Sequence, residues 1–202
     1  MTILNKALLA LAVLASAVAQ PVSAQTSTVF DPVGDAKFNA PAFQDFVFGQ
    51  ITKTASGDFA LLMEMAGSVP DDPSLPPPGA SEIWWSWAFD FDPTAHPEGT
   101  PFPPPAGTPQ ELIAYVSWDG TEFAGFLIDR RPLLTGGEAI ITPVPFSING
   151  TIVDVVLASE LIGDAPPSFR WGAGTRDWSG PIGSYGTNKV DGAEAVFNPP
   201  EL

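Results

Sequence analysis

Proline and glycine cut this chain into pieces too short for long helices. Its 202 residues hold 23 prolines and 19 glycines, and these are clustered. Val69 to Gly79 reads VPDDPSLPPPG, and Pro93 to Pro109 reads PTAHPEGTPFPPPAGTP. Proline lacks the amide proton that ladders and helices use, so both stretches read as loops. Between the loops lie runs rich in β-branched and aromatic residues that alternate with period two, and no helical periodicity lasts beyond one turn. The expected strands are Phe46 to Lys53, Phe59 to Met65, Ile83 to Phe91, Leu112 to Trp118, Glu122 to Ile128, Phe146 to Ile148, Thr151 to Leu157, Phe169 to Thr175 and Ala193 to Phe197. Ala55-Ser56-Gly57 reads as a hairpin turn, and Asp119-Gly120 and Asn149-Gly150 as two-residue hairpin loops. Ser159 to Gly163 reads as a single helical turn with Ser159 as its cap. Parallel strands need crossover helices, and none is visible. The expected fold is therefore all-β: about nine strands in an antiparallel two-sheet β-sandwich with long Pro-rich loops, with a closed barrel as the alternative.

The first residues have a different pattern. Asn5 and Lys6 precede an apolar run from Ala7 to Ala19, and Val22-Ser23-Ala24 places small residues before Gln25. This is the pattern of a secretory signal cleaved after Ala24. The run is shorter than the roughly 20 apolar residues of a membrane span, and Pro21 keeps it from extending further. Residues 1–24 are thus expected to be a signal and 25–202 a single exported domain, periplasmic or extracellular. No transmembrane segment is expected after cleavage. The absence of cysteine excludes disulfides, thiolate metal sites and cysteine nucleophiles. The formal charge is −15, one unit more negative once Lys6 is removed with the signal. Such a surface repels nucleic acid and anionic membranes, and suits solubility or the binding of hard cations.

The most informative strand is Ile83-Trp84-Trp85-Ser86-Trp87-Ala88-Phe89-Asp90-Phe91-Asp92. Alternation assigns Ile83, Trp85, Trp87, Phe89 and Phe91 to a core face. Trp84, Ser86, Ala88, Asp90 and Asp92 take the other. An indole, a hydroxyl and two carboxylates suit a sugar, whose C–H faces pack on aromatic rings while its hydroxyls bind carboxylates. The plainer alternative is that Trp84 packs under the proline-rich loops while Asp90 and Asp92 end the strand. Trp171, Arg176, Asp177 and Trp178 fall in RWGAGTRDWSG. There Arg176 and Trp178 either stack on a ligand or belong to a capping loop in which the arginine pairs with an acid.

The order of these motifs resembles a known family. Phe30-Asp31-Pro32-Val33-Gly34-Asp35-Ala36 is followed by Asp45 opening a strand, then by the Gly57-Asp58-Phe59 turn and the aromatic strand ending Asp90-Phe91-Asp92. Late in the chain, Ser159-Glu160-Leu161-Ile162-Gly163 precedes Phe169-Arg170-Trp171. Over nearly the whole mature chain this is similar to the DOMON-like and family-9-type carbohydrate-binding β-sandwich domains of exported bacterial proteins. The resemblance implies a jelly-roll-like sandwich, often with a structural calcium, that binds a sugar or, in some members, haem.

Calcium takes six to eight oxygens, often from aspartates and backbone carbonyls in irregular loops. Asp31, Asp35 and Asp45 are the candidate ligands, with Asp90 and Asp92 as further acids; an Asx-turn is the other reading of Asp31 to Asp35. Haem suits the chain poorly. Its sole histidine, His96, lies in a proline-rich loop, and Met63 and Met65 alternate on a core face. One histidine and no G-x-S-x-G elbow leave no triad or zinc site. The leading expectation is a non-catalytic module that binds a carbohydrate or similar polar ligand through Trp84, Asp90, Asp92, Arg176 and Trp178. The alternatives are a structural or protein-interaction domain and a glycan hydrolase built on two carboxylates.

Overall fold

The computed structural model describes residues 24–75, 80–91, 110–163, 165–178 and 187–197. Residues 1–23, with most of the expected signal, lie outside them. So do residues 76–79 and 92–109, which include Asp92 and His96, and the side chain of Trp178.

Eleven strands and one short helix occur among the described residues: β1 Gln25–Phe30, β2 Phe46–Lys53, β3 Phe59–Met65, β4 Glu82–Asp90, β5 Leu112–Trp118, β6 Phe123–Asp129, β7 Ile140–Pro143, β8 Phe146–Asn149, β9 Ile152–Leu157, α1 Ser159–Ile162, β10 Phe169–Trp178 and β11 Thr187–Phe197. They form two antiparallel sheets, ordered β1-β2-β3-β9-β8 and β11-β10-β4-β5-β6-β7. Neither sheet closes on itself, so the described residues form an open two-layer sandwich and no barrel. The core between the layers takes Phe46, Ile51, Phe59, Leu61, Met63 and Met65 from one sheet and Ile83, Trp85, Trp87, Phe89 and Trp171 from the other. Strand alternation accounts for this division, because successive side chains point to opposite faces.

Two strands, β1 and β7, go beyond the nine expected. The hairpins also differ in detail. The β5–β6 loop spans four residues, with Trp118 paired to Phe123 and Gly120 at φ 92°. Its Asp119 accepts hydrogen bonds from the Thr121 and Glu122 backbone amides at 2.8 and 3.0 Å, which favours the longer turn. The β8–β9 turn sits one residue later than expected, on Gly150 and Thr151, because Asn149 still pairs with Ile152. Ser159 does not cap α1. Ala158 takes that position, and the Ser159 amide donates to Asp58 Oδ1 at 2.9 Å. The cap thus comes from the β2–β3 turn, 101 residues away.

The first and last strands meet across the layers. The Ser27 hydroxyl on β1 donates to the Val196 carbonyl on β11 at 3.1 Å and accepts from Trp171 Nε1 at 2.9 Å. Beside this tie, β10 and β11 approach so closely that only glycine fits. A Cβ on Gly174 would lie 2.2 Å from the Asp191 carbonyl oxygen, and one on Gly192 would lie 2.3 Å from the Ala173 carbonyl oxygen. The register shifts directly afterwards, between Thr175 and Arg176. Gly174→Ala is expected to force the two strands apart and cost about 2–3 kcal/mol; an unchanged urea midpoint would show that the ladder yields freely.

Candidate functional site

The strongest cluster of chemical groups forms where β1, β2 and β11 come together. Asp31 comes directly after the last residue of β1, and its amide donates to the Val47 carbonyl at 3.1 Å. Val33 and Gly34 then turn the chain, with Gly34 at φ 87°, a conformation glycine adopts without strain. This turn presents Asp35. Carboxylate oxygens of Asp31, Asp35 and Asp191 all lie within 4.8 Å of one another. Two of the three expected metal ligands are therefore together, and Asp191 joins them from the last strand. The third, Asp45, stands behind the turn: its Oδ2 accepts the Gly34 amide at 2.8 Å.

Asp191 is buried, and both of its oxygens are engaged by backbone. Oδ2 accepts from the Phe46 amide at 2.8 Å and Oδ1 from the Gly192 amide at 2.8 Å. Burial, and secondarily the hydrogen bond with Asp31, push its pKa up to about 7 despite these amides. Two carboxyl groups in such contact share a proton or a cation, because two bare charges repel. The donor set fits a hard cation such as calcium, which prefers oxygen ligands. Asp45 is also buried, and among the described residues its Oδ1 has no hydrogen-bond partner. A cation at this place would be held by Asp31, Asp35 and Asp191, with Asp45 bracing the loop.

An apolar surface adjoins the acids. Phe30, immediately before Asp31, is 72% exposed and contacts the Phe48 ring at 5.0 Å. Together with Val33, Val47, Glu64 and Met65 these rings line a shallow, open depression on the outer face of the five-stranded sheet. Exposed aromatic carbon, a carboxylate beside it and an acid cluster one residue further on are thus contiguous.

The face expected to carry the ligand is arranged differently. Trp84 does lie on the outer side of its sheet, but it is buried at 4% exposure and stacks on Tyr115 with ring centres 4.0 Å apart. Its Nε1 donates to Glu82 Oε2 at 2.5 Å. Burial, then the Glu82 charge, push the Tyr115 pKa up to about 12. Trp84 is therefore part of a small second apolar cluster rather than an exposed platform. Register places Arg176 opposite Trp84 and Trp178 opposite Glu82. Asp90 lies at the other end of β4, opposite Arg170, and is fully buried. Strand pairing thus brings Trp84, Arg176 and Trp178 to one place and Asp90 to another.

Sequence reading missed Asp191, Phe48, Glu64 and Tyr115. Asp191 reaches the cluster only through the register of a distant strand, which no local spacing signals. Comparison with family models, with curated proteins and with solved structures finds no match to this chain. The architecture itself defines the class: an all-β, two-sheet, sandwich-like domain. Among the described residues no helix is long and apolar enough to cross a membrane.

Proposed function

We propose that this protein is an exported, non-catalytic binding module for a carbohydrate or similar polar ligand, with a structural calcium at Asp31, Asp35 and Asp191. The observation that carries this reading is Phe30, a 72% exposed aromatic ring resting on Phe48 beside Glu64 and one residue from the acid cluster. Exposed rings offer a face to the C–H side of a sugar, and neighbouring carboxylates accept its hydroxyls. The motif order similar to DOMON-like and family-9-type modules, with their jelly-roll-like sandwich, supports the same reading. So does the start of β1 at Gln25, directly after the expected cleavage point.

A panel of insoluble polysaccharides, with calcium or with a chelator, tests the proposal. The protein is expected to be retained on at least one of them, Phe30→Ala to lose retention at least fivefold while keeping its melting temperature, and chelation to weaken it. A wild-type protein that binds none of the panel would turn the assignment to a protein-interaction role.

A glycan hydrolase is the second reading, and Asp191 is the group that favours it. A carboxyl pushed up to about 7 beside a second carboxylate has the electrostatics of a general acid. Both Asp191 oxygens, however, are already occupied by backbone amides, which leaves little room for proton transfer to a substrate. Turnover of a reporter glycoside that disappears in Asp191→Asn would establish the enzyme over the binding module.

A further inference from the structure

The outer face of the six-stranded sheet holds a cation that, among the described residues, has no counter-ion. Arg176 on β10 is mostly buried, and burial alone drives its pKa down. No described carboxylate pairs with its guanidinium, although the chain has 23 acidic residues against 8 lysines and arginines. Two of the three other arginines find acids: Arg131 is bidentate to Asp129 at 2.9 and 2.7 Å, and Arg170 faces Glu194 at 3.8 Å. The acids nearest Arg176 in the ladder are engaged elsewhere. Asp177, next in the chain, faces the other way and accepts from Gln44 Nε2 at 2.6 Å. Glu82, two positions along the neighbouring strand from Trp84, is held by the Trp84 indole. On the other side, the ladder sets Lys189 of β11 opposite Arg176.

Taking a guanidinium out of water without a partner is costly, and folded chains avoid it where a carboxylate is in reach. Here the described carboxylates nearby are already engaged by other donors, and the indole opposite the arginine is packed on Tyr115. We propose that Arg176 anchors a second binding site, on the sheet opposite the Phe30 surface, for a ligand that presents a carboxylate. The planar fork of the guanidinium matches a carboxylate with two parallel hydrogen bonds, which a lysine does not reproduce. The carboxylate belongs either to a free small acid or to a uronate unit of a glycan chain.

Calorimetric titration and thermal melts of the purified protein with galacturonate, with oligogalacturonate and with neutral galactose separate these sources. Saturable binding of the acid sugars and none of galactose is expected. Equal affinity for monomer and oligomer assigns a free carboxylate, and preference for the oligomer assigns a glycan. Arg176→Gln should weaken binding at least tenfold, while Arg176→Lys retains a weaker form of it. Without ligand, Arg176→Gln should melt at or above the wild-type temperature, since it removes an uncompensated charge. A clear fall in its melting temperature would mean that the guanidinium is neutralised within the fold. That result, no saturable binding of either acid, or unchanged binding in Arg176→Gln would overturn the proposal.

Discussion

Adding millimolar calcium at pH 7.5 is expected to raise the melting temperature of this protein by about 5–10 °C, and to raise it far less at pH 5. A ligand that binds only the folded state stabilises by about 2.7 kcal/mol at a hundredfold excess over Kd, which for a domain of this size corresponds to a shift of that order. The pH dependence comes from Asp191. Its carboxyl titrates near 7 in the folded state against an ordinary 3.8. Between those values the folded chain holds a proton that the unfolded chain has released, so stability falls as pH rises from about 4 to about 7. After allowance for solvent screening the loss is about 2 kcal/mol. At pH 5 the cation must displace that proton, and its benefit shrinks. Above pH 7 it meets Asp191 already ionised. Asp191→Asn should remove both the calcium response and most of the pH slope. Melts that are identical with calcium and with chelator at pH 7.5 would eliminate the cation site.

The largest loss of stability should come from Trp85→Ala. Trp85 is wholly enclosed, its ring lies 6.0 Å from Phe123 and 6.5 Å from Phe43, and its Nε1 donates to the Phe43 carbonyl at 3.0 Å. Truncation leaves a large cavity and a buried carbonyl without its donor, at a combined cost of about 4–5 kcal/mol. Native domains are stable by only about 5–15 kcal/mol, so this variant should be close to unfolding at 37 °C. Trp84→Ala, one residue away, empties the outer cluster shared with Tyr115 and leaves the inter-sheet core in place. Its cost should be about 2–3 kcal/mol. Urea midpoints compare the two directly, and equal losses would contradict the assignment of these indoles to opposite faces.

That assignment was legible in the sequence, and so was much of the fold. β2 and β3 were readable to the residue, because β3 alternates cleanly and the Ala55-Ser56-Gly57 turn bounds both strands. β1 was not, because its Thr-Ser-Thr run is polar and offers no apolar alternation. β7 is four residues long, carries Pro143 and sits at a sheet edge, where little packing constrains composition. β11 runs longer than expected because Gly192 weakens the strand signal where the backbones approach, and β10 continues past Thr175 through a register shift that alternation does not reveal. At the acid cluster, Asp31 and Asp35 were legible because one local turn holds both. Asp191 joins them only through the pairing of a strand some 160 residues away. Exposure was the least legible property: alternation gives the face a side chain takes, and says nothing about what covers that face. Trp84 is covered, whereas Phe30 is open.

The tie between Ser27 and Val196 also sets a timetable. The first strand pairs with β2, its neighbour in sequence, but its second anchor lies 169 residues downstream. Asp191, which completes the acid cluster, arrives on the same last strand. A chain emerging from its N-terminus therefore cannot close the sandwich or assemble the cluster until nearly all of it is present. Long-range pairing of this kind places folding in the millisecond-to-second range typical of β-sandwiches, and leaves the growing chain open, and threadable, for the whole of its synthesis.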